Sequence, residues 1–354
     1  MNIIPASYEI FDIPSADDKM AVLKHIEKIA RTCYKSEDKI TDTSCVKMIE
    51  NLKNRKHWAM LEHYVFDIRV DSNTANEVAR LKSAAQYHCN IDTTLTNSIK
   101  FLNITQGPAT IGRRPRYILS TSATTINYIG EAIDRSEDYI SHDMPHINSL
   151  RWFLYNKYPE LIIKPNNGMS VNPNDLKKFM FMTQDEVNNL DPYQRMYHEY
   201  MTVKFIVDRG VSHEIVRHRM ASYAQESTRY CNYAKNGFGG EITVINPIMF
   251  RPNTNKYDVW KRACKNAEHE YFELLRSEAT PQEARSVLPN SLKTELVMTT
   301  YLQEWVHFFK MRVPTAAHIQ MREVSIPLFK QVINNKPEIF KQYKYFMNES
   351  EVIK

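Results

Sequence analysis

Hydrophobic and polar positions change period several times along this 354-residue chain, and each change predicts an element. Val22, Ile26, Ile29 and Cys33 recur at helical spacing. Ser15 stands before them as an N-cap, with Asp17 and Asp18 in the first turn, so a helix is predicted from about Ala16 to Cys33. A second helix is predicted from about Ser44 to Lys53. From Tyr64 the period becomes two: Tyr64, Phe66, Ile68 and Val70 share one face, and Val65, Asp67 and Arg69 the other. That is the pattern of a half-buried strand. Tyr117 to Leu119 reads as a short strand, and Ala123 to Arg135 and Asn148 to Tyr158 as helices. Gly107-Pro108, Arg113 to Arg116, and Asn166 to Asp175 read as loops.

Met201, Val203, Phe205 and Val207 alternate with Thr202, Lys204, Ile206 and Asp208, which predicts a second clear strand. Asp208-Arg209-Gly210 turns the chain, and Ser212 is expected to cap a short helix. Glu241 to Ile245 reads as a third strand, stopped by Asn246-Pro247, and Tyr257 to Ser277 as an amphipathic helix. Thr280-Pro281-Gln282-Glu283 has a capping threonine, proline at the first helical position and glutamate at the third. After Pro289 a long helix is expected to about Arg312, with Leu302, Trp305, Phe309 and Arg312 on one stripe. Pro314 ends it by disfavouring helical geometry in the residue before it.

Composition narrows the class. The chain is 43% hydrophobic and 25% charged, ample for a sizeable core. No apolar run approaches the roughly 18 residues of a membrane span, and no signal peptide is recognised at the start. No membrane association is therefore expected. The net charge of +5 is compatible with an anionic ligand but too weak to demand nucleic acid. Cys33, Cys45, Cys89, Cys231 and Cys264 are odd in number and form no CxxC, so reduced thiols in a cytoplasmic setting are expected. Only 8 glycines occur, and both GxGxxG and GxxxxGK[ST] are absent. A bound nucleotide is then held by side chains more than by a glycine-rich turn. Residues 1–354 are expected to form a single domain, with residues 71–199 an elaborating insertion without readable chemistry.

Arg217 to Arg229, RHRMASYAQESTR, stands out. Three guanidinium groups this close repel one another unless something anionic sits among them. His213-Glu214 with His218 has HExxxH spacing, which turns the two imidazoles about 140° apart on a helix instead of onto one face. No metal site is expected there. His57, Glu62 and His63 at the entrance of the Tyr64 strand suit either a metal or caps. Cys231 has no base beside it in sequence and reads as a buried thiol. Arg312 reads either as a cation at a helix C-terminus or as a functional charge. Tyr223, Tyr230 and Tyr233 interleaved with arginines would suit stacking on bases, the reading as a non-catalytic nucleotide- or RNA-binding module.

Arg217-His218-Arg219, seven residues, Ser227, one residue, Arg229 matches the signature RHR-x7-S-x-R, and the chain resembles the flavin-dependent thymidylate synthases. HWAMLEH at His57 to His63, EARSVLP at Glu283 to Pro289 and the helix ending at Arg312 resemble that family too. The resemblance implies an α+β fold, mainly antiparallel sheet flanked by helices and without a Rossmann motif, in a homotetramer with shared active sites. It implies reductive methylation of dUMP to dTMP, with 5,10-methylenetetrahydrofolate as carbon donor, FAD as hydride carrier and NADPH as reductant, in place of a cysteine nucleophile. By the same resemblance Arg312 is the catalytic charge beside the uracil. Glu214, Arg217, Gln225, Glu226, Ser227, Thr228, Arg229 and Arg285 are expected around dUMP. His57, Ala59 (through its backbone), Arg217, His218, Arg219, Gln225 and His307 are expected around FAD or folate, with no nucleic acid among the partners. About 130 residues separate the Tyr64 strand from the arginine motif, as in longer members of the family.

Overall fold

A computed structural model describes residues 1–87, 99–107, 116–134, 144–166, 171, 173–234 and 240–348. Cys89, Pro108, Arg113, Arg135 and part of the 166–175 loop, all named in the sequence reading, lie outside the described residues. In chain order the described strands are β1 (Asn2–Ile4), β2 (Ser7–Phe11), β3 (Val65–Val70), β4 (Asn103–Gln106), β5 (Tyr117–Ser122), β6 (Met180–Phe181), β7 (Tyr200–Asp208), β8 (Ser222–Gln225), β9 (Thr243–Ile245) and β10 (Lys293–Tyr301). The fold is α+β, with antiparallel sheets flanked by helices. The chain divides into two compact units: Met1–Phe11, Ala30–Glu37 and Thr202–Lys354 form one, Asp12–Ile29 and Asp38–Met201 the other. The second unit begins well before residue 71, where the expected elaboration starts.

The first unit is built on a sheet in the order β2-β7-β10-β8. β2 runs antiparallel to β7, with Tyr8 opposite Phe205, and β10 antiparallel to β8, with Leu296 opposite Gln225. A parallel pair, β1 and β9, accompanies them. The helix Leu302–Arg312 packs onto the sheet through Trp305 of its predicted stripe and through Phe308 outside it, their rings 6.4 and 6.0 Å from that of Phe205. Phe309 of the same helix meets Phe329 of the helix Ile319–Asn335, with centroids 4.6 Å apart. These rings are all buried, and removing such large apolar groups from water stabilises the packing.

Three local expectations change. The long helix after Pro289 is a strand and then a helix: β10 occupies Lys293–Tyr301, and only Leu302–Arg312 is helical. Thr294, Val297, Thr299 and Thr300 are β-branched and buried on both faces, as in a central strand. A strand buried on both faces shows no alternation, so the helical stripe that follows it seemed to extend backwards. The cap of the helix Arg209–Ile215 is Asp208, whose Oδ1 accepts the Val211 N–H at 2.7 Å, and not Ser212. At the first helix, Lys19–Tyr34, the capping carboxylate is Asp18, three residues beyond the expected cap Ser15.

The second unit has its own antiparallel sheet, in the order β4-β5-β3-β6. Phe66, Tyr158 and Phe181 fill its core. A polar chain crosses this sheet: Ser120 donates to Asp67, the His198 Nδ1 lies 2.6 Å from Ser120 Oγ, and its Nε2 lies 2.7 Å from Thr105 Oγ1. Burial pushes the Asp67 carboxyl up to about 7 and the His198 imidazole down to about 4. In the helix Ala123–Asp134, Gly130 gives room for the buried Arg151 guanidinium, which bonds both oxygens of Asp134 at 3.1 and 2.9 Å.

Candidate active site

Two groups of predicted residues come together in the first unit. The first is centred on Arg312. Its helix ends there, and the turn is fixed from outside: Ser325 Oγ donates to the Arg312 carbonyl at 2.7 Å, and Arg322 Nε to the Val313 carbonyl at 3.0 Å. The side chain reaches the helix Arg209–Ile215. Arg312 Nη1 donates to Glu214 Oε2 at 2.8 Å, Nη2 to the Glu214 carbonyl at 2.7 Å, and Nε to His218 Nε2 at 3.1 Å. A guanidinium has five N–H donors, so these three bonds leave two without a partner among the described residues. Glu214 and Arg312 are only partly buried.

His218 is fixed in tautomer by this contact. Arginine only donates, so His218 Nε2 is the acceptor and the proton sits on Nδ1. Burial, helped by the Arg312 charge, pushes the imidazole down to about 4, so it is neutral near pH 7. The buried Nδ1 has no hydrogen-bond partner among the described residues. The exposed His307 meets His218 edge-on, with ring centroids 5.5 Å apart. Tyr223 on β8 ties down the intervening turn; its hydroxyl lies 2.9 Å from the Ile215 carbonyl and 2.6 Å from that of His218.

The second group is the loop leaving β8. Gln225 Nε2 donates to Ser212 Oγ at 2.9 Å, which joins the loop to the Arg209–Ile215 helix. The Ser227 N–H is already committed to the Cys33 carbonyl at 3.0 Å. The loop therefore presents the side chains of Ser227 and the exposed Arg229, and beside it stands the exposed Arg285, whose Nη1 lies 3.4 Å from Thr228 Oγ1. Arg285 is placed by the capping box of Thr280 and Glu283, predicted from sequence and present in the structure. Arg229 Nε donates to Gln282 Oε1 at 3.1 Å, and its guanidinium lies over the Tyr230 ring. Arg217 and Arg219 are exposed and form no ion pair among the described residues. Burial pushes the Cys231 thiol up to about 12, which removes thiolate character at neutral pH.

Other expected residues are placed differently. His57 and Ala59 belong to the second unit, where both are exposed at the start of the short helix Trp58–Leu61. Glu226 is buried, and its carboxylate accepts from Lys293 at 2.8 Å instead of lining the loop's surface. Sequence reasoning missed Lys293, Glu295 and Lys204, and it read Tyr223 as a base-stacking ring, whereas its hydroxyl is held by the Ile215 and His218 carbonyls. Lys293 and Glu295 share a strand face at i, i+2, a signal hidden while β10 was read as helix.

The fold and the site together define an α+β protein whose antiparallel sheet carries clustered arginines and a neutral, buried histidine. Residues 187–338 match the family model of the thymidylate synthase complementing protein. A flavin-dependent thymidylate synthase of Pyrococcus abyssi is 31% identical over 137 residues, 38% of this chain and 55% of that protein. One of Geobacter sulfurreducens is 30% identical over 135 residues, 38% and 56% of the two chains, and one of Mycolicibacterium vanbaalenii 27% identical over 164 residues, 41% and 63%. The chain thus spans little more than half the length of these curated relatives. Over residues 187–338 the chain is thus similar to the flavin-dependent thymidylate synthases.

Proposed function

We propose that the protein methylates dUMP reductively to dTMP, using 5,10-methylenetetrahydrofolate as carbon donor, NADPH as reductant and FAD as cofactor, as a homotetramer. The observation that carries this reading is the convergence of Arg312, Glu214 and His218 beside the Ser227–Arg229 loop's strand, from positions up to 98 residues apart. FAD supplies hydride chemistry when bound. The residues present fit such a group: the His218 Nδ1–H is buried without an acceptor, and Arg217 and Arg219 are cations without counter-ions among the described residues. In this reading those three, with His307 and Gln225, hold FAD or folate.

The chain's own part is charge and placement. Arg229, Arg285 and the Ser227 hydroxyl take the phosphate, with Thr228 behind them. Arg312 keeps two N–H groups for the uracil, while Glu214 fixes the guanidinium plane. A cation beside the ring favours its anionic form and stabilises negative charge developing on it during reaction at C5. Cys231, buried and protonated, takes no part.

The test is dTMP formation from dUMP with methylenetetrahydrofolate, NADPH and FAD. Absence of product from a protein that takes up FAD rejects the reading. A second reading, a nucleotide- or RNA-binding module without chemistry, is favoured by the exposed Tyr230 ring, which lies 5.8 Å from Tyr34 under the Arg229 cation. Colour separates the two: a purified protein that stays colourless with FAD supports the binding module.

A further inference from the structure

Beneath the Ser227–Arg229 loop lies a cluster of charges that neither the motif nor the proposed chemistry uses. Glu226, the loop's first residue, spends every polar group on the interior. Its N–H donates to the Glu295 carbonyl at 2.8 Å, and its carbonyl accepts from Arg209 Nη1 at 3.3 Å. Its Oε2 accepts from Lys293 at 2.8 Å, and its Oε1 lies 3.5 Å from the Tyr233 hydroxyl. Lys293 also bonds Glu295 Oε1 at 2.9 Å, and Lys204 pairs with Glu295 Oε2 at 2.5 Å.

Lys35 completes the cluster by bonding Glu295. Lys35 stands just past the helix Lys19–Tyr34 with φ of 45°, a left-handed conformation that few residues with a side chain adopt. Its ion pair holds that turn, and the turn carries the Cys33 carbonyl that receives the Ser227 N–H at 3.0 Å. One buried ion cluster therefore grips the loop at two consecutive residues, from β10 on one side and from the helix end on the other.

We propose that Glu226, Lys293 and Glu295 are positioning residues that act through the loop, setting its affinity for a nucleotide phosphate without touching the ligand. The proposal rests on the dUMP reading above and reassigns Glu226 within it, from a substrate contact to a support. A buried ion pair with one member removed leaves an uncompensated charge, and the loop must shift to hydrate it. Burial opposes the Glu295 charge, but the surrounding lysines outweigh it and hold the carboxyl well below its ordinary range, so the cluster stays ionised at neutral pH.

The test measures the dUMP dissociation constant, the KM for dUMP, kcat and flavin content of the full-length protein in Lys293→Met, Lys293→Arg, Glu226→Gln and the double variant Lys293→Met/Glu226→Gln. Lys293→Met and Glu226→Gln are expected to weaken dUMP at least tenfold, through KM more than kcat, with flavin content unchanged. Lys293→Arg is expected to restore most of the affinity, and the double variant to be no worse than Lys293→Met, because coupled residues are not additive. Glu226→Gln keeps the side chain's shape and carries the test if Lys293→Met does not fold. Affinity within twofold of wild type in either folded variant overturns the proposal, and so does a loss of flavin in step with dUMP. A wild-type protein that binds no dUMP overturns the nucleotide reading itself, and this proposal with it.

Discussion

Arg312 shows how a single side chain gains partners that its helix position does not give it. At a helix C-terminus a cation is favourable whatever it touches, yet here three of its donors are aimed by Glu214 and His218. Arg312→Ala is expected to lower dTMP formation at least about 100-fold while the protein stays folded, the cost typical of losing one preorganised donor at a developing anion. Near-wild-type turnover in that variant would remove Arg312 from the chemistry. Cys231→Ser tests the opposite expectation. A thiol pushed up to about 12 by burial is no nucleophile, so steady-state turnover is expected to persist; an inactive variant that still binds flavin and dUMP would restore a thiol mechanism.

At the scale of elements, opposing local effects are decided by magnitude. Gly130 lies inside a helix, where alanine is ordinarily better by about 0.5–1 kcal/mol. A Cβ there would stand 2.5 Å from the Arg151 guanidinium, which is buried and held by Asp134. Displacing one member of a buried pair costs about 3–5 kcal/mol, reduced here because Asp134 is partly exposed. Gly130→Ala is therefore expected to lower stability by about 2 kcal/mol, read as a lower urea midpoint, against helix propensity; an unchanged or raised midpoint would mean that Arg151 finds another seat at no cost. The same scale explains the misread β10. Its residues fit a central strand only because β7 and β8 flank it on both sides, a fact absent from the local pattern.

Across the whole molecule the ionisable groups set a pH profile. His25, His198 and His218 are pushed down to about 4 by burial, so each contributes stability present above its ordinary pKa of 6.5 and lost as pH falls towards 4. Asp67 and Glu323 are pushed up to about 7 by burial, so each contributes stability present below its ordinary pKa and lost as pH rises through 7. The depressed Glu295 adds a further loss below its ordinary 4.5. Denaturant unfolding is thus expected to show a maximum close to neutrality and a decline from about pH 6.5 towards 4. Asp67→Asn, which keeps an acceptor for Ser120, is expected to gain stability relative to wild type as pH rises from 6 to 8. A constant difference across that range would show that Asp67 does not titrate there.

The sequence by itself determined the helices Lys19–Tyr34, Ser44–Asn54 and Asn255–Arg276, the alternating strands β3 and β7, the capping box before Arg285 and the residues of the RHR-x7-S-x-R signature. Each of these is specified within a few residues, by period, cap or identity. Tertiary structure alone decided that Arg312 meets Glu214 and His218, that Glu226 turns inward to Lys293, and that Lys293–Tyr301 is a strand. Those outcomes depend on which strands pair and on what burial does to charge. Sheet pairing joins residues dozens of positions apart, and an ion pair's worth depends on the water that packing removes, so neither is written in the local order of residues.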